Sequence, residues 1–117
     1  MHALIIEDQP LIAMMIEDEL AEQGYTTFDV ATRQADAVQL AAKRCPDLIT
    51  ADDKLIEGTG IDAVREICAH QAIPVVYIAG ALDELAIPGA VILPKPFRSR
   101  DLRAAVRRAI ATPRTYG

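Results

Sequence analysis

The sequence predicts an α/β fold, five parallel strands in one sheet with helices on both faces, and three observations carry that expectation. Short apolar runs recur at residues 2–6, 25–31, 47–52, 74–79 and 90–93, and most stretches between them repeat apolar residues at helical spacing. The connections are short, as strands alternating with helices in one doubly wound domain require. The first and third runs each end in an acid pair, Glu7 with Asp8 and Asp52 with Asp53, at the carboxyl edge where open parallel sheets bind ligands.

Residues 2–6 read as a buried strand. Pro10 suits the first turn of the next helix, where its missing N–H would be unpaired in any case, and Ile12, Met15, Ile16 and Leu20 share one face until Gly24. Residues 25–31 form a less apolar strand, expected nearer an edge. Thr32 is placed to cap a helix running to about residue 44, with Val38, Leu40, Ala41 and Ala42 inward. Residues 47–52 are the third strand, and Ile61, Val64, Ile67 and Cys68 mark a third helix begun after Gly60. The β-branched run 74–79 and the shorter run 90–93 complete the sheet. Ser99 is placed to cap the last helix, with Leu102, Val106, Ala109 and Ile110 inward. The domain is expected to span residues 1–111, with 112–117 a flexible tail.

One crossover is irregular. Only residues 80–89 separate the fourth and fifth strands, and Pro88 with Gly89 stops any helix begun at Leu82. A parallel crossover usually needs a dozen or more residues with a helix inside, so a turn or two in a mobile segment is expected there.

The chain of 117 residues is expected to be one domain, and half its residues are apolar, with only two Phe and three Tyr. No apolar run approaches the roughly 20 residues of a membrane span. The first residues open directly into a strand rather than a signal segment, so a cytoplasmic protein is expected. Cys45 and Cys68 lie far apart without a CxxC pattern and are expected to be two buried or half-buried thiols instead of a disulfide or a metal site. A net charge of −5 argues against general nucleic-acid binding. Arg98, Arg100, Arg103, Arg107, Arg108 and Arg114 nevertheless make the C-terminal segment a basic stripe on an acidic body. Helical spacing of Arg100, Arg103 and Arg107 reads as a solvated face, with a docking stripe for an acidic partner as the lesser alternative.

With the first and third strands adjacent, Glu7, Asp8 and Asp52 meet at one edge. Crowded carboxylates repel unless a cation joins them, and an all-oxygen set with room for water suits Mg²⁺ better than Zn²⁺. The fifth strand runs into Lys95, Pro96 and Phe97, bringing an ammonium to the same edge. One Lys facing an acid pocket suggests an anion between them, and phosphate beside Mg²⁺ is the natural candidate. Asp53 reads as solvent-facing or capping. His2 and His70 lack partners at ligand spacing, and Gly58, Thr59 and Gly60 read as a turn and not a phosphate loop.

The acids Glu7 and Asp8, Asp52 ending the third strand, Gly60 eight residues later, and the run Lys95, Pro96, Phe97 together resemble the receiver domains of two-component response regulators along essentially the whole chain. The stretches IEDQPLIAM, LITAD and GIDAV look most like receivers of the alphaproteobacterial general stress response and their single-domain relatives. The resemblance implies a flavodoxin-like sheet in the order 2-1-3-4-5 with a shortened or missing fourth helix. It implies that Asp52 accepts a phosphoryl group from a sensor histidine kinase or phosphotransfer protein. Mg²⁺ would be held by Glu7, Asp8, Asp52 and the Lys54 backbone carbonyl, and Lys95 would neutralise the aspartyl phosphate. Output would pass by protein contact, to a downstream regulator, or by draining phosphate from one. The implied protein is a phosphoacceptor and not an enzyme in the usual sense, with slow autodephosphorylation allowed. No nucleic acid or membrane partner is implied.

Two positions depart from the family pattern. Ala79 stands where a Ser or Thr hydroxyl usually meets the phosphoryl group, and Ile92 stands where many members carry an aromatic switch residue. The Gly80 backbone N–H and the Lys54 ammonium are the remaining candidates for phosphoryl contact. The alternative reading is a pseudo-receiver, a constitutive docking module that takes no phosphate. An Asp-nucleophile phosphatase is disfavoured by the lack of a DxD motif.

Overall fold

A computed structural model describes residues 1–80 and 90–112. Five strands, β1 (His2–Ile6), β2 (Thr27–Ala31), β3 (Leu48–Asp52), β4 (Val75–Ala79) and β5 (Val91–Pro94), form one parallel sheet in the order β2-β1-β3-β4-β5. The helices among the described residues are α1 (Pro10–Glu22), α2 (Gln34–Lys43), α3 (Gly60–Ile67) and α4 (Ser99–Ala111). Apart from Gly80, the crossover expected to be short and mobile lies outside the described residues, as does the tail from residue 113.

Side chains alternate across each strand, so the sheet divides the core in two. Ala3, Ile5, Leu48, Val76 and Ile78 face α1 and α4, where Ile16, Leu20, Leu102, Ala105, Val106 and Ala109 close the layer. Leu4, Ile6, Ile49, Ala51 and Tyr77 face α2 and α3, against Ala37, Ala41, Ala63, Val64 and Ile67. Burying each such Leu, Ile or Val contributes about 1.5–3 kcal/mol before entropy is counted. β1, β3 and β4 are buried at every residue, which is why they read as unbroken apolar runs, while β2 is mostly half-exposed at its edge.

Several local expectations are corrected. Thr32 does not cap α2: Arg33 holds the N-cap position, and the Thr32 carbonyl accepts the Ile56 N–H instead. On α2, Ala37 is buried and Ala42 is exposed. Ser99 is the first residue of α4, not its cap; Arg98 precedes it, and Asp101 Oδ2 accepts the Arg98 N–H at 2.9 Å. Ile110 is 55% exposed, and Ala105 takes the inward place. Tyr25 is buried ahead of β2 and is not part of it. Cys45 is exposed, whereas Cys68 is buried.

The loop from β3 to α3 is shaped by close packing. Gly58 has φ +79°, and a Cβ there would run into the Gln34 side chain. Thr59 caps α3 by accepting the Asp62 N–H at 3.0 Å. Gly60 lies so close to the end of β3 that a Cβ there would run into the Asp52 carbonyl oxygen. The absent side chain at Gly60 therefore lets α3 start directly against the end of the strand that carries Asp52.

Candidate functional site

Parallel pairing of β1 with β3 puts Ile6 beside Ala51, so both strands end at the same level and deliver their acids together. Glu7, Asp8 and Asp52 each offer a carboxylate oxygen, all within 4.8 Å of one another. β5, two strands away beyond β4, brings Lys95 to the same edge, where the Ala79 carbonyl accepts its N–H at 3.0 Å. The Lys95 ammonium lies 3.0 Å from Asp52 Oδ1 and 3.9 Å from Glu7 Oε1. The Lys95–Pro96 peptide bond is cis.

These groups are withdrawn from solvent: Glu7 is 1% exposed and Asp52 is 3%. Burial pushes the Glu7 carboxyl up from 4.5 to about 7, against the Gln9 N–H that its Oε2 accepts at 3.0 Å, while the Asp52 charge adds to the rise. Burial likewise raises Asp52, although Lys95 opposes the shift. Burial disfavours the charge on Lys95, but the Asp52 hydrogen bond and the charges of Glu7, Asp52 and Asp53 outweigh it and hold its pKa above 10.5. Glu7 Oε1 is buried without a hydrogen-bond partner among the described residues. An orphaned carboxylate oxygen inside a three-acid, all-oxygen cluster is what a hard divalent cation would satisfy. The residues present fit such an ion.

A cavity of about 400 Å³ opens over the cluster, lined by Asp8, Gln9, Asp52, Asp53, Lys54, Gly80 and Lys95. The structure thus brings together Asp8, Asp52, Lys54, Gly80 and Lys95 around one space, with Glu7 in the acid cluster beside it. Ala79 is fully buried and presents no hydroxyl. Ile92 packs opposite Tyr77 on the α2 and α3 side of the sheet. Two lining residues escaped the sequence reading, Gln9 and Asp53. Asp53 lines the cavity half-buried instead of facing solvent, and its N–H donates to Asp52 Oδ1 at 2.9 Å. The available signal was position: each directly follows an acid at the carboxyl edge, where the turn into the loop faces the ligand crevice.

Such a site can present a carboxylate nucleophile, a fixed ammonium and a metal-binding acid cluster to one small anionic group. Comparison with known proteins agrees with that chemistry. The model of the response regulator receiver domain matches residues 3–107. The phyllosphere-induced regulator PhyR of Methylorubrum extorquens is 35% identical over 114 residues, 92% of this chain and 42% of that protein. The transcriptional regulatory protein PdtaR of Mycobacterium tuberculosis is 34% identical over 94% of this chain and 57% of its own length. The chain thus spans about half the length of these curated relatives. Among solved structures, the response regulator PhyR of Brucella abortus superposes with a TM-score of 0.85 at 34% identity, covering 92% of this chain and 46% of that one. The receiver domain of PhyR from Erythrobacter litoralis gives 0.84 at 30% identity, covering 97% and 95%. A further structural relative, PhyR from Bartonella quintana, bears the name anti-anti-sigma factor; it gives 0.78 at 34% identity over 92% of this chain and 46% of that one.

Proposed function

This chain belongs to the response regulator receiver family, and we propose that it works as a phosphoacceptor, taking a phosphoryl group on Asp52 from a histidine kinase or phosphotransfer protein. The observation that carries the reading is the Lys95 ammonium 3.0 Å from Asp52 Oδ1, beside three acids able to share one cation. A site without transfer chemistry would have little cause to bury this many like charges together.

In this reading an Asp52 carboxylate oxygen attacks phosphorus in line with the leaving group. The O–P bond forms as the P–N bond of phosphohistidine breaks, and the imidazole nitrogen leaves with the electron pair. Glu7, Asp8, Asp52 and the Lys54 backbone carbonyl would hold Mg²⁺, which supplies neutralising charge to the phosphoryl oxygens. Lys95 stays fixed by the Ala79 carbonyl at its own N–H and pairs with the new phosphoryl charge. Gly80, exposed at the cavity wall, offers its N–H in place of the missing Ala79 hydroxyl, and the Lys54 ammonium supplements it. Positioning and charge neutralisation are most of what a loose phosphoryl-transfer transition state requires.

Output runs through protein contact, either to a downstream regulator or by draining phosphate from one, and the likeness to PhyR supports contact. No helix among the described residues is long and apolar enough to cross a membrane, and we place the protein in the cytoplasm with its kinase's catalytic domain. The rival reading, a constitutive pseudo-receiver, rests on Ala79 and Ile92; the intact acids and Lys95 favour phosphorylation. Incubation with phosphorylated kinases and Mg²⁺ should label the wild type and leave Asp52→Asn unlabelled with its fold intact. Undiminished label on Asp52→Asn would defeat the assignment, and an unlabelled wild type would favour the docking module.

A further inference from the structure

Asp53 is a carboxylate at the cavity wall that the proposed chemistry does not use. It lines the same space as Asp8, Asp52 and Lys95, yet the group of acids close enough to share an ion comprises Glu7, Asp8 and Asp52 without it. Its backbone is committed, with the N–H donating to Asp52 Oδ1 at 2.9 Å. β3 ends at Asp52, and Asp53 sits half-buried in the bend that follows it, outside the group of acids able to share an ion. Lining the same cavity as Lys54 and Lys95, it sets its charge against an anion that enters there. Glu7, Asp8, Asp52 and Asp53 face Lys54 and Lys95 here, so with Mg²⁺ bound Asp53 cancels the net positive charge that the ion and the two lysines would otherwise hold over the other three acids.

Resting on the phosphoacceptor reading above, we infer that Asp53 determines donor specificity. Its carboxylate disfavours small anionic acyl phosphates and so reserves Asp52 for phosphohistidine, whose protein carrier is held by contacts outside the cavity. A small donor has no such docking surface and must enter without that net attraction. With acetyl phosphate, an Asp52 oxygen bonds to phosphorus as the P–O bond to acetate breaks, and acetate leaves with the electron pair. With phosphoramidate the P–N bond breaks instead and ammonia leaves, and the protonated nitrogen of this donor cancels part of its negative charge near neutral pH. The two reagents differ in charge at the same reaction, without a docking surface in either.

The test compares their initial phosphorylation rates in wild type, Asp53→Asn and Asp53→Glu at saturating Mg²⁺, at low and high ionic strength. Asp53→Asn should gain about 3- to 10-fold with acetyl phosphate at low salt, the effect of one unit charge several ångströms away in a solvated cleft, and the gain should shrink as salt screens it. The gain with phosphoramidate should be smaller, about 2-fold or less, because its net charge is lower. Asp53→Glu should keep the wild-type ratio between donors, and Mg²⁺ affinity should be unchanged in Asp53→Asn. Equal gains with both donors, no gain, or a gain indifferent to salt would overturn the role of Asp53 and leave the phosphoacceptor reading standing. A marked loss of Mg²⁺ affinity would overturn it by making Asp53 a ligand. Absence of Asp52-dependent label in the wild type with either donor would overturn both.

Discussion

At the scale of single residues, Glu7 is the most consequential. Burial pushes its carboxyl up from 4.5 to about 7, so between those values the folded chain without metal holds a proton that the unfolded chain releases. Stability from this proton is fully present below pH 4.5 and is lost as pH rises through about 7. The metal-free protein should therefore lose on the order of 2–3 kcal/mol between pH 5 and pH 8 from this group. Urea melts of wild type and Glu7→Gln at both pH values would check this, the variant losing most of the slope. Mg²⁺ affinity should rise over the same interval, since the ion needs the deprotonated carboxylate. Thr50 makes a second residue-scale case. It is 1% exposed in the middle of β3, and its hydroxyl finds no partner among the described residues. Thr50→Val keeps the shape and removes an unsatisfied buried group, so it should stabilise the fold by about 1 kcal/mol in denaturant titration. A loss of stability would show that the hydroxyl is satisfied in solution, by water for example.

At the scale of elements, α1 and α4 are joined by an ion pair that the sequence hid. Arg103 reads as part of a solvated stripe at helical spacing. In the fold its Nε and Nη2 lie 3.1 and 2.9 Å from Oε1 of Glu19, which is 2% exposed, and Glu22 adds a longer contact at 3.7 Å. The partners stand 84 positions apart, and no helical periodicity reports a contact between two helices. Arg103→Ala strands the Glu19 charge, so a loss of about 1–3 kcal/mol is expected, most of it recovered in Arg103→Ala with Glu19→Gln. Strand positions were legible because full burial writes itself as an unbroken apolar run, and β1, β3 and β4 hold within a residue of the reading. Caps were not: the Thr32 carbonyl pairs with the Ile56 N–H of another loop, and Arg98, whose N–H donates to Asp101, takes the place expected for Ser99. The same reason hid His2, whose ring meets Thr27 and Asp29 only because the parallel register sets His2 beside Thr27. At the start of α3, Gly60→Ala would drive a methyl into the Asp52 carbonyl. It should cost about 1–3 kcal/mol and slow phosphorylation by displacing the acid, measured as a lower initial rate in the folded variant.

At the scale of the whole molecule, one sheet edge gathers everything the proposed chemistry needs. The acids were readable because each ends an apolar run, and Lys95 because it follows the last one. Gln9 and Asp53 were not, because whether a loop residue faces a cavity depends on how the neighbouring loops close over it. The decisive property is whether Asp52 itself carries the phosphoryl group as an acyl phosphate. After phosphorylation in Mg²⁺, borohydride reduction converts a phosphorylated Asp to homoserine, and peptide mass spectrometry locates it. Homoserine at position 52, absent when Mg²⁺ is chelated, is the result predicted. Homoserine at position 8 or 53, or none from a labelled protein, would contradict it.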